Sequence, residues 1–191
     1  MLILIVNPGA TSTKIAVYRD EEELFRENIL HSPAELAGFE HIVDQFAFRK
    51  TLVLKTLAGR GYRMSDFSAV CGRGGLLRHV PSSTYAIGGA VIADILHPPY
   101  GEHASSLGPL IAKALADAAG IPAYLVDPVS VDEMIPVARV SGLAGMERES
   151  FFHALNQKAV ARKAAGLLNK PYEQVNLIVA HMGGGVSVAA H

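Results

Sequence analysis

The sequence predicts an α/β protein with three strands joined by short turns, then helix, strand, helices and a fifth strand, and a second strand unit that begins near the C-terminal end. Three observations predict it. Leu2 to Val6 is a continuous apolar run, as a strand buried on both faces would be, and Ile15 to Tyr18 and Leu24 to Leu30 resume strand-forming residues after short polar turns. Two further apolar runs, Ser68 to Cys71 and Ala123 to Val126, stand between segments of helical periodicity. Val175 to Ala180 and Val186 to Ala190 then flank a glycine-rich turn, His181 to Gly185, which echoes the strand, polar turn and strand of Met1 to Tyr18.

Each element carries its own signals. Asn7, Pro8 and Gly9 punctuate the first turn, and Asp20 to Glu23 read as a solvated acidic turn before the third strand. Ser32, Pro33 and Glu35 supply an N-cap, a proline at the first helical position and a glutamate at the third. Leu36, Phe39, Val43, Phe46, Val53 and Leu57 follow at helical spacing, and Gly59 and Gly61 close what reads as one long amphipathic helix. Gly72-Arg73-Gly74-Gly75 ends the fourth strand. Tyr85 to Leu96 contains Gly88 and Gly89 and then an apolar stretch that reads as a short helix, and His97 to Ser106, with Pro98 and Pro99, reads as an irregular loop. The next helix begins near Ser105 or Ser106, aligns Leu107, Leu110, Ile111, Ala114, Leu115 and Ala118, and stops at Gly120 and Pro122. Asp127-Pro128 ends the fifth strand. Val129 to Gly145 lacks a clear period and reads as a crossover or hinge, and helical spacing returns with Phe152, Leu155 and Ala159. Two domains are expected, 1–145 and 146–191, the second truncated because His191 falls where a strand of an incomplete sheet would run.

Half of the residues are hydrophobic, which supplies a core, and the formal net charge of -1 gives no global attraction to nucleic acid or to an anionic membrane. Binding must therefore be local. Cys71 is the only cysteine, which excludes an intramolecular disulfide, fits a reducing compartment and reads as a small buried residue. No basic leader precedes the first apolar run, and Asn7 and Pro8 break that run too early for a signal peptide or a membrane span. A soluble, cytoplasmic protein is expected.

Polar groups gather at the strand ends. Thr11, Ser12, Thr13 and Lys14 place three hydroxyls and an ammonium beside a tight turn, a set that either forms an ordinary polar hairpin tip or holds phosphate oxygens through hydrogen bonds and charge. Arg73, between glycines, is either a surface arginine or a fork for a carboxylate. Asp127 is either an Asp-Pro turn residue or an acid presented at a strand end, and His181 precedes three glycines whose backbone an anion can approach closely. His31, His41, His79, His97, His153 and His191 show no spacing with cysteines or acids that suggests zinc. Val80, Ile87 and Ile92 suit an acyl pocket and suit a core equally.

Asn7 to Lys14 (N-P-G-A-T-S-T-K), Gly72 to Gly75 (G-R-G-G), Gly101 to Ser105 (G-E-H-A-S), Val126 to Val129 (V-D-P-V) and His181 to Gly185 (H-M-G-G-G) together resemble the butyrate kinases of the acetokinase family. The resemblance runs from Leu2 to the last residue and covers about the first half of such an enzyme. Pro8 and His-Met-Gly-Gly-Gly are closer to butyrate than to acetate kinases, whereas Ala10 stands where serine is common. The resemblance implies an actin-like ATPase (ribonuclease H-like) fold with a mixed five-stranded sheet flanked by helices. It also implies transfer of the ATP γ-phosphoryl group to butyrate, with Mg²⁺, and a homo-oligomer in the full-length enzyme. It assigns Asp127, His181 and Arg73 to catalysis, Arg73 and His103 to the carboxylate substrate, and Ser12, Lys14, Gly183, Gly184 and Gly185 to the nucleotide phosphates. Asn7 and Asp127 are expected at the metal or its waters. A kinase for acetate, propionate or isobutyrate, or a non-catalytic phosphate-binding module, fits the same pattern. The 191-residue chain is expected to be inactive alone.

Overall fold

A computed structural model describes residues 1–183 and 185–190, which form two compact units: Met1–Arg78 with Ser83–Val126, and His79–Ser82 with Asp127–His191. In the first unit, β1 (Leu2–Pro8), β2 (Ser12–Arg19) and β3 (Glu22–Leu30) form the expected antiparallel meander. They are followed by α1 (Pro33–Leu36), α2 (Phe46–Gly59), β4 (Ala69–Gly72), β5 (Thr84–Ala86), α3 (Gly89–Leu96), α4 (Leu107–Ala119) and β6 (Ala123–Val126). The strands make one mixed sheet in the order β3-β2-β1-β4-β6-β5, with β1, β4 and β6 parallel.

That sheet has six strands, not five. β5 is an edge strand of three residues, antiparallel to β6, and three residues are too few to show a period of two. The continuous apolar run of β1 also misleads. Leu4 and Val6 are fully buried beneath Val53 and Leu57 of α2 and Ile111, Ala112 and Leu115 of α4, but Ile3, Ile5 and Asn7 on the opposite face are only half-buried. One face of the strand meets the helices, and Asn7 belongs to the other.

The long helix expected after Ser32 is broken. Its capping box forms as expected, the Ser32 hydroxyl accepting from the Glu35 N–H and the Glu35 carboxylate accepting from the Ser32 N–H, yet α1 lasts only four residues. A distant residue sets the restart. Glu102 accepts hydrogen bonds from the Ile42 N–H at 2.9 Å and pairs with His41 Nδ1 at 3.0 Å, and Asp44 accepts from the His41 N–H. These partners hold His41 in extended backbone, out of any continuous helix. α4 ends as expected, at Gly120 in the left-handed region (φ 66°), which a side chain would disfavour.

In the second unit, β7 (Val140–Leu143) and β8 (Met146–Glu147) form a small hairpin inside the aperiodic stretch. α5 (Ala154–Leu167) and the antiparallel pair β9 (Ile178–Met182) and β10 (Val186–Ala190) follow. β9 starts three residues later than expected, after a short 3-10 turn at Tyr172–Gln174 and an irregular stretch over 175–177, and it runs through His181 and Met182. The glycine turn is thus confined to the residues after Met182. No helix among the described residues is long and apolar enough to cross a membrane.

Candidate active site

Antiparallel pairing sets Asn7 directly opposite Lys14, and residues two apart share a face, so Asn7, Ser12 and Lys14 emerge on the side of the sheet away from α2 and α4. Lys14 is exposed and, among the described residues, takes part in no ion pair. Thr13, on the opposite face, is fully buried.

Arg73 reaches the same edge. Its N–H donates to the Val6 carbonyl at 2.8 Å, extending the parallel pairing of β1 and β4, and its Nη1 donates to Asn7 Oδ1 at 3.3 Å. Burial lowers its pKa from the usual arginine value, and among the described residues it forms no ion pair with a carboxylate. The glycines around it are demanded by backbone contact. A Cβ on Gly72 would stand 2.4 Å from the Gly108 carbonyl oxygen, and one on Gly108 would stand 2.2 Å from the Arg73 oxygen. The loop therefore lies directly on the first turn of α4. His103 supports it indirectly: its Nδ1 is 2.7 Å from the buried Ser105 hydroxyl, whose oxygen accepts from the Gly75 N–H. That nitrogen is committed, and the rest of the exposed ring remains available. Ile87 is buried in the core of the first unit and Ile92 packs against that core, partly buried, while Val80 bridges to Val131, both within the second unit. Cys71 is half-buried, and burial pushes its thiol up to about 11, as suits a packing residue.

In the second unit, Asp127 follows the last residue of β6 and adopts φ 40°, a left-handed backbone immediately before Pro128, where extended conformations are favoured. Its carboxylate is almost wholly buried and accepts from the Ser82 hydroxyl at 2.7 Å. His181 is fixed differently. The Asn156 amide lies 3.0 Å from its Nδ1, and with the amide N–H donating, the neutral ring carries its proton on Nε2. A Cβ on Gly183 would stand 3.7 Å from Nε2, so that nitrogen faces the glycine turn. The His153 ring stacks on His181 at 3.7 Å between centroids, holding its plane. Gly183 and Gly185 are exposed and joined by a backbone hydrogen bond of 3.0 Å, while Gly184 and His191 lie outside the described residues.

Among the described residues no cluster of three or more His, Cys, Asp or Glu side chains is built to cage a metal. In the first unit Asn7 Oδ1 already faces a guanidinium. In the second, Asp127 by itself offers one carboxylate, which fits Mg²⁺ only in the mode where phosphate oxygens and waters complete the shell.

Sequence reasoning missed Arg49, Ser82, Gly108, Asn156 and His153. A signal existed for Arg49: it interrupts the apolar stripe of Phe46, Val53 and Leu57 and is fully buried. Ser82 and Asn156 act across loop and helix and carry no local pattern.

Residues 142–191, which include Asn156, His181 and the glycine turn, match the family model described as the acetokinase family. Among solved structures, the chain is similar to acetate kinase from Porphyromonas gingivalis at 18% identity and a TM-score of 0.64, covering 99% of this chain and 54% of that one. It is similar to a propionate kinase from Francisella tularensis subsp. tularensis SCHU S4 at 16% and 0.64, covering 99% and 54%, and to acetate kinase from Entamoeba histolytica at 14% and 0.64, covering 100% and 53%. The chain spans about half the length of the solved structures it matches. Its fold, a mixed sheet with flanking helices, is that of the acetate and propionate kinases, the actin-like ATPase fold.

Proposed function

We propose that this chain carries catalytic residues of a carboxylate kinase that moves the ATP γ-phosphoryl group reversibly to butyrate. The acetokinase match over residues 142–191 carries this reading, because it covers the stretch where His181 is oriented by Asn156 and aimed at glycines. The acceptor carboxylate is ionised at neutral pH, so no general base is needed. One of its oxygens bonds to phosphorus as the bond between phosphorus and the ADP oxygen breaks, and no proton changes place. What the protein must supply is alignment of two anions and compensation of their charge.

Arg73, held by Asn7, takes the acceptor carboxylate through its remaining N–H groups. His103 borders that acceptor. Ser12 and Lys14 donate to phosphate oxygens, and Gly183, Gly184 and Gly185 admit phosphates to the backbone. His181 Nε2–H donates to the phosphoryl group in transit. Bound Mg²⁺ would neutralise phosphate charge, with the Asp127 carboxylate as its protein ligand and Asn7 toward a metal-bound water. Butyrate, ahead of acetate, propionate or isobutyrate, rests on Pro8 and the His-Met-Gly-Gly-Gly turn. The full encoded protein, assayed for acyl phosphate across these four acids, tests it. Butyrate should give the highest kcat/KM, and Arg73→Ala and His181→Ala should each lower it about 10² to 10³-fold. Losses under about tenfold in both variants would remove the role assignment.

A further inference from the structure

We propose that Arg49 is the positioning residue of the phosphate-binding hairpin, keeping the N–H groups of Ala10 and Thr11 aimed outward as a paired anion donor. The proposal rests on the carboxylate kinase reading and concerns how one part of it works. Arg49 has no exposed surface, and every N–H direction of its guanidinium is used. Nη1 donates to the carbonyls of Gly9 at 2.8 Å and Ser12 at 3.0 Å and to the Thr13 hydroxyl at 3.1 Å. Nη2 donates to the Ala10 carbonyl at 3.1 Å and to Gln45 Oε1 at 2.7 Å, and Nε to the same Gln45 oxygen at 3.0 Å. A carboxylate partner would cancel the attraction of this charge for a phosphate. Among the described residues Arg49 pairs with none, its acceptors being carbonyl, hydroxyl and amide oxygens, and its charge stays behind the tip.

A trans peptide holds its C=O and the following N–H antiparallel. With the Gly9 and Ala10 carbonyls drawn inward to Arg49, the N–H groups of Ala10 and Thr11 must point the other way, from two exposed residues. Among the described residues neither N–H donates to any protein acceptor. Two adjacent free N–H groups make an anion-binding concavity, and the buried guanidinium behind them adds positive potential.

The test is titration of the ¹⁵N-labelled chain with inorganic phosphate, in the parent and in Arg49→Met and Arg49→Lys. Ala10 and Thr11 should show the largest amide shifts within the hairpin. Arg49→Met, with its spectrum otherwise dispersed, should bind phosphate about tenfold or more weakly, and Arg49→Lys should recover part of the loss. Phosphate shifts that spare Ala10 and Thr11, or unchanged affinity in a folded Arg49→Met, would overturn the proposal and leave the kinase reading intact. If Arg49→Met does not fold, unchanged affinity in Arg49→Lys is decisive against it. If neither phosphate nor MgATP moves any hairpin or glycine-turn signal, both readings fall together.

Discussion

Thr13 is where two buried groups of the first unit meet, Arg49 Nη1 at 3.1 Å and His31 Nε2 at 2.8 Å. His31 is 4% exposed, and its Nδ1 has no hydrogen-bond partner among the described residues. Burial first, and then the Arg49 charge, holds its pKa below the ordinary histidine value, with Glu35 opposing weakly. The unfolded chain therefore binds a proton at this site before the folded chain does as pH falls. Stability is kept above the unfolded histidine pKa, about 6.5, and drains away as pH drops from there toward the lowered folded value. Denaturant melts at about pH 7.5 and 5.5 should show the parent losing stability on acidification and His31→Gln losing measurably less. Equal losses in the two would show that His31 is not the group responsible. The same hairpin shows what a sequence reveals residue by residue. Asn7, Ser12 and Lys14 are legible because a tight turn and a period of two place them locally. Arg49 and His31 are not, because their partners arrive through folding from distant segments.

At the scale of elements, the close approach of the Gly72 to Gly75 loop to α4 rests on absent side chains on both sides. Gly74 adds a backbone φ of 106°, and a Cβ there would meet Ser105 at 2.4 Å. At Gly108 the obstacle is the Arg73 carbonyl oxygen at 2.2 Å, which is main chain and has no rotamer by which to withdraw. Gly108→Ala should thus cost about 3 kcal/mol in stability, the upper part of the range for overpacking. Where the protein still folds, it should raise the KM for carboxylate, because Arg73 must shift. Unchanged melting and KM would mean that the contact relaxes freely. Sequence punctuation marked the glycine loop and the start of α4, and it could not mark their contact. The same limit explains the broken helix after Ser32, whose propensity and cap were read correctly while Glu102, far along the chain, decided where α2 would begin.

At the scale of the molecule, apolar burial is uneven. The connected core, from Leu4 and Val6 through Ile111 to Leu125, lies wholly in the first unit. The described buried apolar residues of the second are Val131, Ala154, Ala161, Ala165 and Val175, and three of those five are alanines. A buried methylene contributes about 0.8 kcal/mol, so an alanine seam stabilises far less than the Leu, Ile and Val layers of the first unit. β9 and β10 also leave Ile178, Met182, Val186 and Val188 on one open face. The other face is held to α5 partly by Gln157, which donates to the Ser187 carbonyl at 2.9 Å while its Oε1 finds no partner among the described residues. A region with few large buried contacts opens at low free energy, independently of global unfolding. Hydrogen exchange on the 191-residue chain should accordingly show β1, β4 and α4 exchanging only through global opening, with α5, β9 and β10 exchanging orders of magnitude faster. Limited proteolysis should cut first within 127–190. Equal protection in the two units would show that the alanine seam and the polar contacts of Gln157 stabilise the second unit as well as the larger core stabilises the first. The residues that sequence reading picked as phosphoryl donors, His181 and its glycines, would then sit on a rigid platform instead of the most labile part of the chain.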